Sequence, residues 1–330
     1  MPYVRGKKFD IQFTYNRLTV KMEHRACERI ASVTRPEMRQ VLFPQQESLV
    51  QRGEIDSQIR SFYDRNLNGE QQQAVQKILS GSSRPAPYLV FGPPGTGKTV
   101  TLVEAIKQVH NQIDSSFILA CAPENSAADL LAERLLAHID KGKIFRMYAA
   151  SRPWDFVPQP LKDARVVNFD PVWHEIFYPS KEDLMSKYRI IVTTLVTAGR
   201  LVSAKFPRNH FSHIFIDEAG HATEPECIIP VADLLDPNHP RGGQLVLAGD
   251  PKQLGPILRS RTTREYGLET SLLERLMTSC NTYSRDPRGS YDSDLLTKLV
   301  NNYRSHKNII EIPNELFYDN ELKECAGDFR

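Results

Sequence analysis

Residues 92–99 read Gly-Pro-Pro-Gly-Thr-Gly-Lys-Thr, a match to G-x-x-x-x-G-K-[ST] that follows the apolar run Tyr88-Leu89-Val90-Phe91 and precedes an apolar-periodic stretch. Strand, glycine-rich loop and helix in that order leave few folds open. The loop has to turn its backbone N–H groups onto an anion held at the positive end of the helix. Gly92, Gly95 and Gly97 permit that turn, and Pro93, Pro94 and Thr96 complete the loop. Lys98 is expected to reach β- and γ-phosphates, and Thr99 to ligate Mg²⁺. ATP and Mg²⁺ are the cofactors this pattern implies.

Downstream, strand and helix signals alternate. Strands are expected at Tyr88–Phe91, Phe117–Cys121, Phe145–Tyr148, Ile190–Thr194, His213–Ile216 and Gln244–Ala248, with helices at Thr99–His110 and Ser126–Ile139. Near-continuous apolar strands between helices predict an α/β fold, a parallel sheet covered on both faces. Ligands of such sheets lie beyond the carboxyl ends of the strands. Upstream, Asn68 is a candidate cap for a helix over Glu70–Leu79. The first residues read as β-rich over Phe9–Phe13 and Leu18–Met22, then as a charged helix from Glu23 to Ala31. Residues 149–187 break the rhythm and are expected to form a small inserted subdomain. The apolar run Leu295–Val300 predicts the opening of a second unit.

Composition narrows the class. With 40% hydrophobic and 25% charged residues, and no apolar run near the ~18 residues of a membrane span, a soluble chain without a membrane partner is expected. The five cysteines, Cys27, Cys121, Cys227, Cys280 and Cys325, lie far apart without zinc-ligand spacing, and are read as reduced thiols. A net charge of +2 argues nothing alone. The basic residues do crowd toward the amino terminus, where Arg25, Arg29, Arg35 and Arg39 belong either to a nucleic-acid surface or to a solvated face.

A second acidic motif completes the nucleotide chemistry. His213-Ile214-Phe215-Ile216 is an apolar run ending in Asp217-Glu218. Asp217 is expected to hold Mg²⁺, and Glu218 to orient or deprotonate the attacking water. After the next strand, Gln253 in Gly249-Asp250-Pro251-Lys252-Gln253 carries an amide able to sense the γ-phosphate.

Leu67-Asn68-Gly69-Glu70-Gln71, the phosphate loop, Ala122-Pro123-Glu124-Asn125-Ser126-Ala127, Thr193-Thr194, Asp217-Glu218-Ala219-Gly220, Gly249-Asp250-Pro251-Lys252-Gln253-Leu254 and Asn302-Tyr303-Arg304-Ser305-His306 follow the order of motifs Q, I, Ia, Ib, II, III and IV of superfamily 1 helicases. The chain resembles the up-frameshift-like RNA helicases of subgroup 1B. Arg84-Pro85-Ala86-Pro87-Tyr88, Thr197–Ser203 and Asp217–His221 look most like the Moloney leukaemia virus ten and Armitage type.

This resemblance implies a RecA-like P-loop NTPase domain 1A over residues 58–285, with a 1C-like insertion at 149–187. The end of a β-rich 1B/stalk region would occupy 1–57, and a truncated start of domain 2A 286–330. It implies that Gln71 reads the adenine edge, that Gln253 and Arg304 contact the γ-phosphate, and that Tyr303 either stacks on the base or packs in the core. Catalytic roles fall on Lys98, Glu218, Gln253 and Arg304. Asn125, Ser126, Thr193 and Thr194 would meet the RNA backbone, and Tyr148, Arg152, Trp154 and Trp173 belong to an RNA channel or to the insertion's own core. Glu124 departs from the family's usual serine, and a carboxylate there would repel phosphate at a cost of ~1 kcal/mol. The implied activity is an ATP-dependent 5′-to-3′ RNA helicase acting on single-stranded RNA with silencing or decay proteins. It would be cytoplasmic, in ribonucleoprotein granules among other places, and monomeric. With motifs V and VI missing, the chain itself is expected to bind nucleotide and turn over poorly. A nucleotide-gated RNA clamp and a DNA-directed helicase are the alternatives.

Overall fold

The computed structural model describes residues 17–32, 34–45, 59–240 and 242–326. Their elements are, in chain order, α1 (Leu18–Ala31), α2 (Met38–Leu42), α3 (Gly69–Ser80), β1 (Tyr88–Phe91), α4 (Lys98–Gln112), β2 (Ile118–Ala122), α5 (Asn125–Leu136), β3 (Ile144–Met147), α6 (Gln159–Ala164), α7 (Lys181–Lys187), β4 (Ile190–Thr194), α8 (Leu195–Ser203), β5 (His213–Ile216), α9 (Glu224–Leu234), β6 (Gln244–Gly249), α10 (Arg261–Glu265), α11 (Leu272–Ser279), β7 (Leu296–Lys298), β8 (Asn301–Asn302), α12 (Lys307–Phe317) and β9 (Lys323–Glu324).

Seven strands form one parallel sheet in the order β3-β4-β2-β5-β6-β1-β7. Every strand residue from Tyr88 to Phe91 and from Ile118 to Ala122 is buried. Successive side chains point to opposite faces, so each strand feeds two cores. Leu89, Phe91, Leu119 and Cys121 join α8, α9 and α11 on one face. Tyr88, Val90, Ile118 and Ala120 join α3, α4 and α5 on the other. The acid-bearing strand β5 is separated from the phosphate-loop strand β1 by β6. This is a RecA-like α/β fold, and its parallel strands deliver their following loops to one edge.

The amino-terminal reading needs correction. Phe9–Phe13 lies outside the described residues, but Leu18–Met22 is the first part of α1 and not a strand. Its apolar positions Met22, Ala26 and Ile30 recur every four residues, which places them along one helical stripe against the α9 core. Among the described basic residues here Arg35 alone is buried, while Arg25 and Arg29 remain about half exposed. Arg25 and Arg29 lie 3.9 and 3.4 Å from Asp233 of α9, and Arg35, almost wholly buried, pairs with Glu37 at 2.6 Å. Arg35 also donates to the carbonyls of Ala232 and Leu235.

Two further segments bear on the site. Between α6 and α7, Val167 bridges back to Arg146 of β3 and Phe169 bridges to Ile176. Trp154 packs on Phe169 and stacks on His174 at 4.4 Å, and Tyr148, fully buried, also meets Phe169, so both pack in the core that the insertion shares with the α3–α5 face of the sheet. Trp173 is 77% exposed. Leu296–Lys298, in the stretch read as opening a second unit, pairs with β1 and extends the first sheet.

Candidate nucleotide site

The phosphate loop leaves β1 and enters α4 through Gly95 (φ 83°) and Gly97 (φ 88°), left-handed conformations that favour glycine. Lys98 is buried at the start of α4, and its ammonium donates to the Gly92 carbonyl at 2.7 Å. That holds the cation over the loop, where a phosphate would compete for it. Thr99 donates its hydroxyl to Asp217 Oδ2 at 2.8 Å, which joins the loop of β1 to that of β5 across the intervening β6.

Asp217 is buried, and burial pushes its carboxyl up to about 6, with the neighbouring Glu218 adding to the rise. The Thr99 hydroxyl, Lys98 and the Glu218 N–H oppose it. A hydroxyl and a buried carboxylate converging this closely are hard oxygen donors, and they fit Mg²⁺. Thr99 and Asp217 would hold the ion, which on binding supplies charge stabilisation to phosphate oxygens.

Glu218 adopts φ 52°, a left-handed conformation that costs a non-glycine residue of order 1–3 kcal/mol. The turn is fixed by close backbone packing. A Cβ on Gly220 would meet the Asp250 carbonyl oxygen at 2.9 Å, and one on Gly249 would meet the Gly220 nitrogen at 2.9 Å. The strained residue is thereby held at the rim of a cleft of about 710 Å³ that Gly95, Lys98, Thr99, Glu218, Gln253, Tyr303 and Arg304 also line. Its carboxylate makes no hydrogen bond among the described residues, which suits a group that must accept a proton from water.

The turn after β8 closes the other side. Asn302 is buried, donates to the Pro94 carbonyl at 2.7 Å and accepts from the backbone N–H groups of Arg304 and Ser305. Tyr303 donates its backbone N–H to the Gly95 carbonyl at 2.9 Å, and its hydroxyl accepts from Asn68 Nδ2 at 2.9 Å. Tyr303 is 45% exposed on the cleft, so it is not a core tyrosine.

Gln71 lines the same cleft but is already committed. Its Oε1 accepts from the Asn68 N–H at 3.0 Å and its Nε2 donates to the Thr96 carbonyl at 3.2 Å, so it braces the phosphate loop through the capping box of α3. One N–H of the amide is left for a base.

The residues read as nucleic-acid contacts divide. Asn125 and Ser126 begin α5 beside the exposed Glu124, and Ser126 reaches that carboxylate at 3.4 Å. Asn125 Oδ1 accepts from the buried Arg146 at 2.9 Å. Thr193 and Thr194 do not present hydroxyls to a ligand. Thr193 is fully buried and donates to the Met147 carbonyl, and Thr194 caps α8 through Thr197. A hydroxyl at the end of a buried strand is recruited by the nearest unpaired backbone group.

Sequence reasoning missed Asp64, Asn66, Leu130 and Arg134, which also line the cleft. Leu130 and Arg134 sit four residues apart on α5, and that spacing was the only signal in the sequence; that Leu130 is left exposed on the cleft is seen only in the structure. Asp64 had none. Its backbone and that of Tyr63 are held by the buried Glu104 of α4 at 3.2 and 2.9 Å, a pairing across forty residues of sequence.

A family model described as an AAA domain matches residues 66–166 and 174–261, more than half of the chain. The chain belongs to the AAA-domain family. Both parts of the AAA-domain match contain site residues, the phosphate loop in the first and Asp217, Glu218 and Gln253 in the second. The chain is 52% identical over 330 residues to mov-10-B.1 of Danio rerio, covering 99% of itself and 31% of that relative. To RNA helicase Mov10l1 of Mus musculus it is 45% identical over 280 residues, 81% of this chain and 22% of the relative. To armi of Drosophila melanogaster it is 31% identical over 351 residues, 96% of this chain and 28% of the relative. The AAA-domain chain thus spans at most about a third of the length of these curated relatives. The likeness to the Moloney leukaemia virus ten and Armitage type runs through nearly all of it.

Proposed function

We propose that this chain is the nucleotide-binding and hydrolysing part of an ATP-driven RNA helicase. The observation that carries the reading is the Thr99–Asp217 hydrogen bond at 2.8 Å, in a cleft that also gathers Lys98, Glu218, Gln253 and Arg304. In this reading Lys98 and the loop N–H groups bind the β- and γ-phosphates, Gln253 and Arg304 face the γ-phosphate, and Glu218 takes the proton of the attacking water. Tyr303 offers its ring to the base and Gln71 its remaining N–H. The name RNA helicase carried by Mov10l1, 45% identical to this chain, supports RNA as the polymer. Asn125 and Ser126 at the start of α5 remain the residues assigned to the strand, with movement 5′ to 3′ and a cytoplasmic setting in RNA silencing or decay.

The test is Mg²⁺-dependent binding of a fluorescent ATP analogue, with Lys98→Ala as the comparison, followed by ATP hydrolysis with and without single-stranded RNA. Binding is expected to fall at least tenfold in the variant, the loss of a charge-assisted contact of about 1.5–3 kcal/mol. Equal binding by both chains would sink the reading. Stimulation by DNA and not by RNA of the same sequence would move the proposal to a DNA-directed enzyme.

A further inference from the structure

Asp250, the residue after β6, is 2% exposed, and the nucleotide chemistry above gives it no part. Its Oδ2 accepts two hydrogen bonds, from Gln253 Nε2 at 2.9 Å and from the Tyr318 hydroxyl at 2.8 Å. Its Oδ1 accepts the Lys252 N–H at 2.9 Å. A carboxylate only accepts, so the Gln253 amide must turn its nitrogen toward Asp250. Its Oε1 and second N–H make no hydrogen bond among the described residues, and Gln253 lines the cleft.

Tyr318 comes from another part of the molecule. It follows α12, which begins just past the turn that sets Arg304 beside Gly95. Its backbone N–H is bonded to the Asn314 carbonyl at 3.1 Å, and the Asn314 side chain bonds Leu322 in both directions, at 3.2 and 2.9 Å. The ring is 5% exposed and packs with Ile310 and Leu322. Its orientation is therefore set by α12 and the turn that follows, independently of the Asp250 loop. The segments on either side of α12 both bear on the nucleotide cleft, directly through Arg304 and indirectly through Tyr318.

We propose that Tyr318 is a positioning residue for Gln253. Its hydroxyl fixes Asp250, and Asp250 fixes the amide that faces the γ-phosphate, so the placement of Tyr318 bears on γ-phosphate recognition through a contact that does not touch the phosphate loop. The inference rests on the nucleotide-site reading above. It makes a buried tyrosine, outside the cleft, a determinant of discrimination between nucleoside triphosphate and diphosphate.

The experiment measures Mg²⁺-dependent binding of ADP and of ATPγS to the chain, to Tyr318→Phe, to Gln253→Ala and to the double variant, with Lys98→Ala alongside. Tyr318→Phe is expected to reduce the preference for ATPγS about fivefold, the scale of one hydrogen bond, while ADP affinity changes by less than about twofold. Because the two residues act in series, the double variant should lose no more than Gln253→Ala alone. An unchanged preference in Tyr318→Phe, or an equal loss of ADP and ATPγS, overturns the inference, the second outcome marking a purely structural role. So does the absence of any preference in the parent chain when Lys98→Ala still abolishes binding. Binding indifferent to Lys98→Ala would overturn the site reading itself and this inference with it.

Discussion

Gly97 sits at φ 88° between the phosphate loop and α4, and a Cβ added there would run into the Gln71 amide nitrogen. One atom would therefore strain the backbone and displace the brace that holds the Thr96 carbonyl. Gly97→Ala is expected to destabilise the fold by about 1–3 kcal/mol and to weaken nucleotide binding beyond that. Chemical denaturation with and without Mg²⁺-nucleotide checks both parts, and a variant of parental stability would contradict the geometry. The meeting of Lys98, Thr99 and Asp217 was legible in the sequence because their motifs fix where they sit at the strand ends. The surroundings of Gln71, Thr193 and Thr194 were less so. A motif gives residue types, but whether a hydroxyl or amide faces a ligand depends on which backbone groups the fold leaves unpaired beside it, here Thr96, Met147 and the first turn of α8.

At the scale of elements, α3 was readable from Asn68 at its cap, the six expected strands of the sheet lie within one residue of expectation, and α4 and α5 within three, α5 ending at Leu136. The exception was α1, whose first residues alternate in a short window and show their four-residue period only once Ala26 and Ile30 are included. Its docking creates a pH-dependent term. Burial of Glu226 in the first turn of α9 pushes its carboxyl up to about 7, and Glu23 of α1 adds to the rise. The folded chain then binds this proton more tightly than an unfolded chain with a carboxyl near ~4.3. Stability from this group is full below about pH 4 and is lost as pH rises through about 7. Glu226→Gln should abolish that loss, so that it melts above the parent at pH 8 and close to it at pH 4. Thermal midpoints across that range decide, and an identical dependence in both chains would remove Glu226 as its source.

For the whole molecule, the cleft is assembled from segments near Asp64, the phosphate loop, α5, Glu218, Gln253 and Tyr303, which span most of the described chain. The sequence displayed several of these as motifs. It gave no sign that β7 would extend the sheet beside β1, because three residues of strand carry too little pattern to declare a partner. A ligand that touches so many segments should stabilise them together. Mg²⁺-ATP analogue at a hundred times its dissociation constant is expected to add about 2.7 kcal/mol to unfolding, seen as one cooperative shift in the melt. In Lys98→Ala, with binding at least tenfold weaker, the shift at the same ligand concentration should fall to about 1.4 kcal/mol or less. A two-step melt with only one step moved would instead mean that the segments do not unfold as a unit.

The two tryptophans of the chain, Trp154 and Trp173, both lie in the insertion, one stacked on His174 and the other at the surface. Indole emission from this protein is accordingly a local optical signal, silent about the nucleotide cleft except through the insertion. Excited at the red edge of the absorption band, the chain reports the surroundings of those two indoles in the insertion, while far-ultraviolet circular dichroism follows the helices and strands of the whole chain. Comparing the two along one denaturant titration tells whether the insertion melts with its host or ahead of it, without attaching any dye.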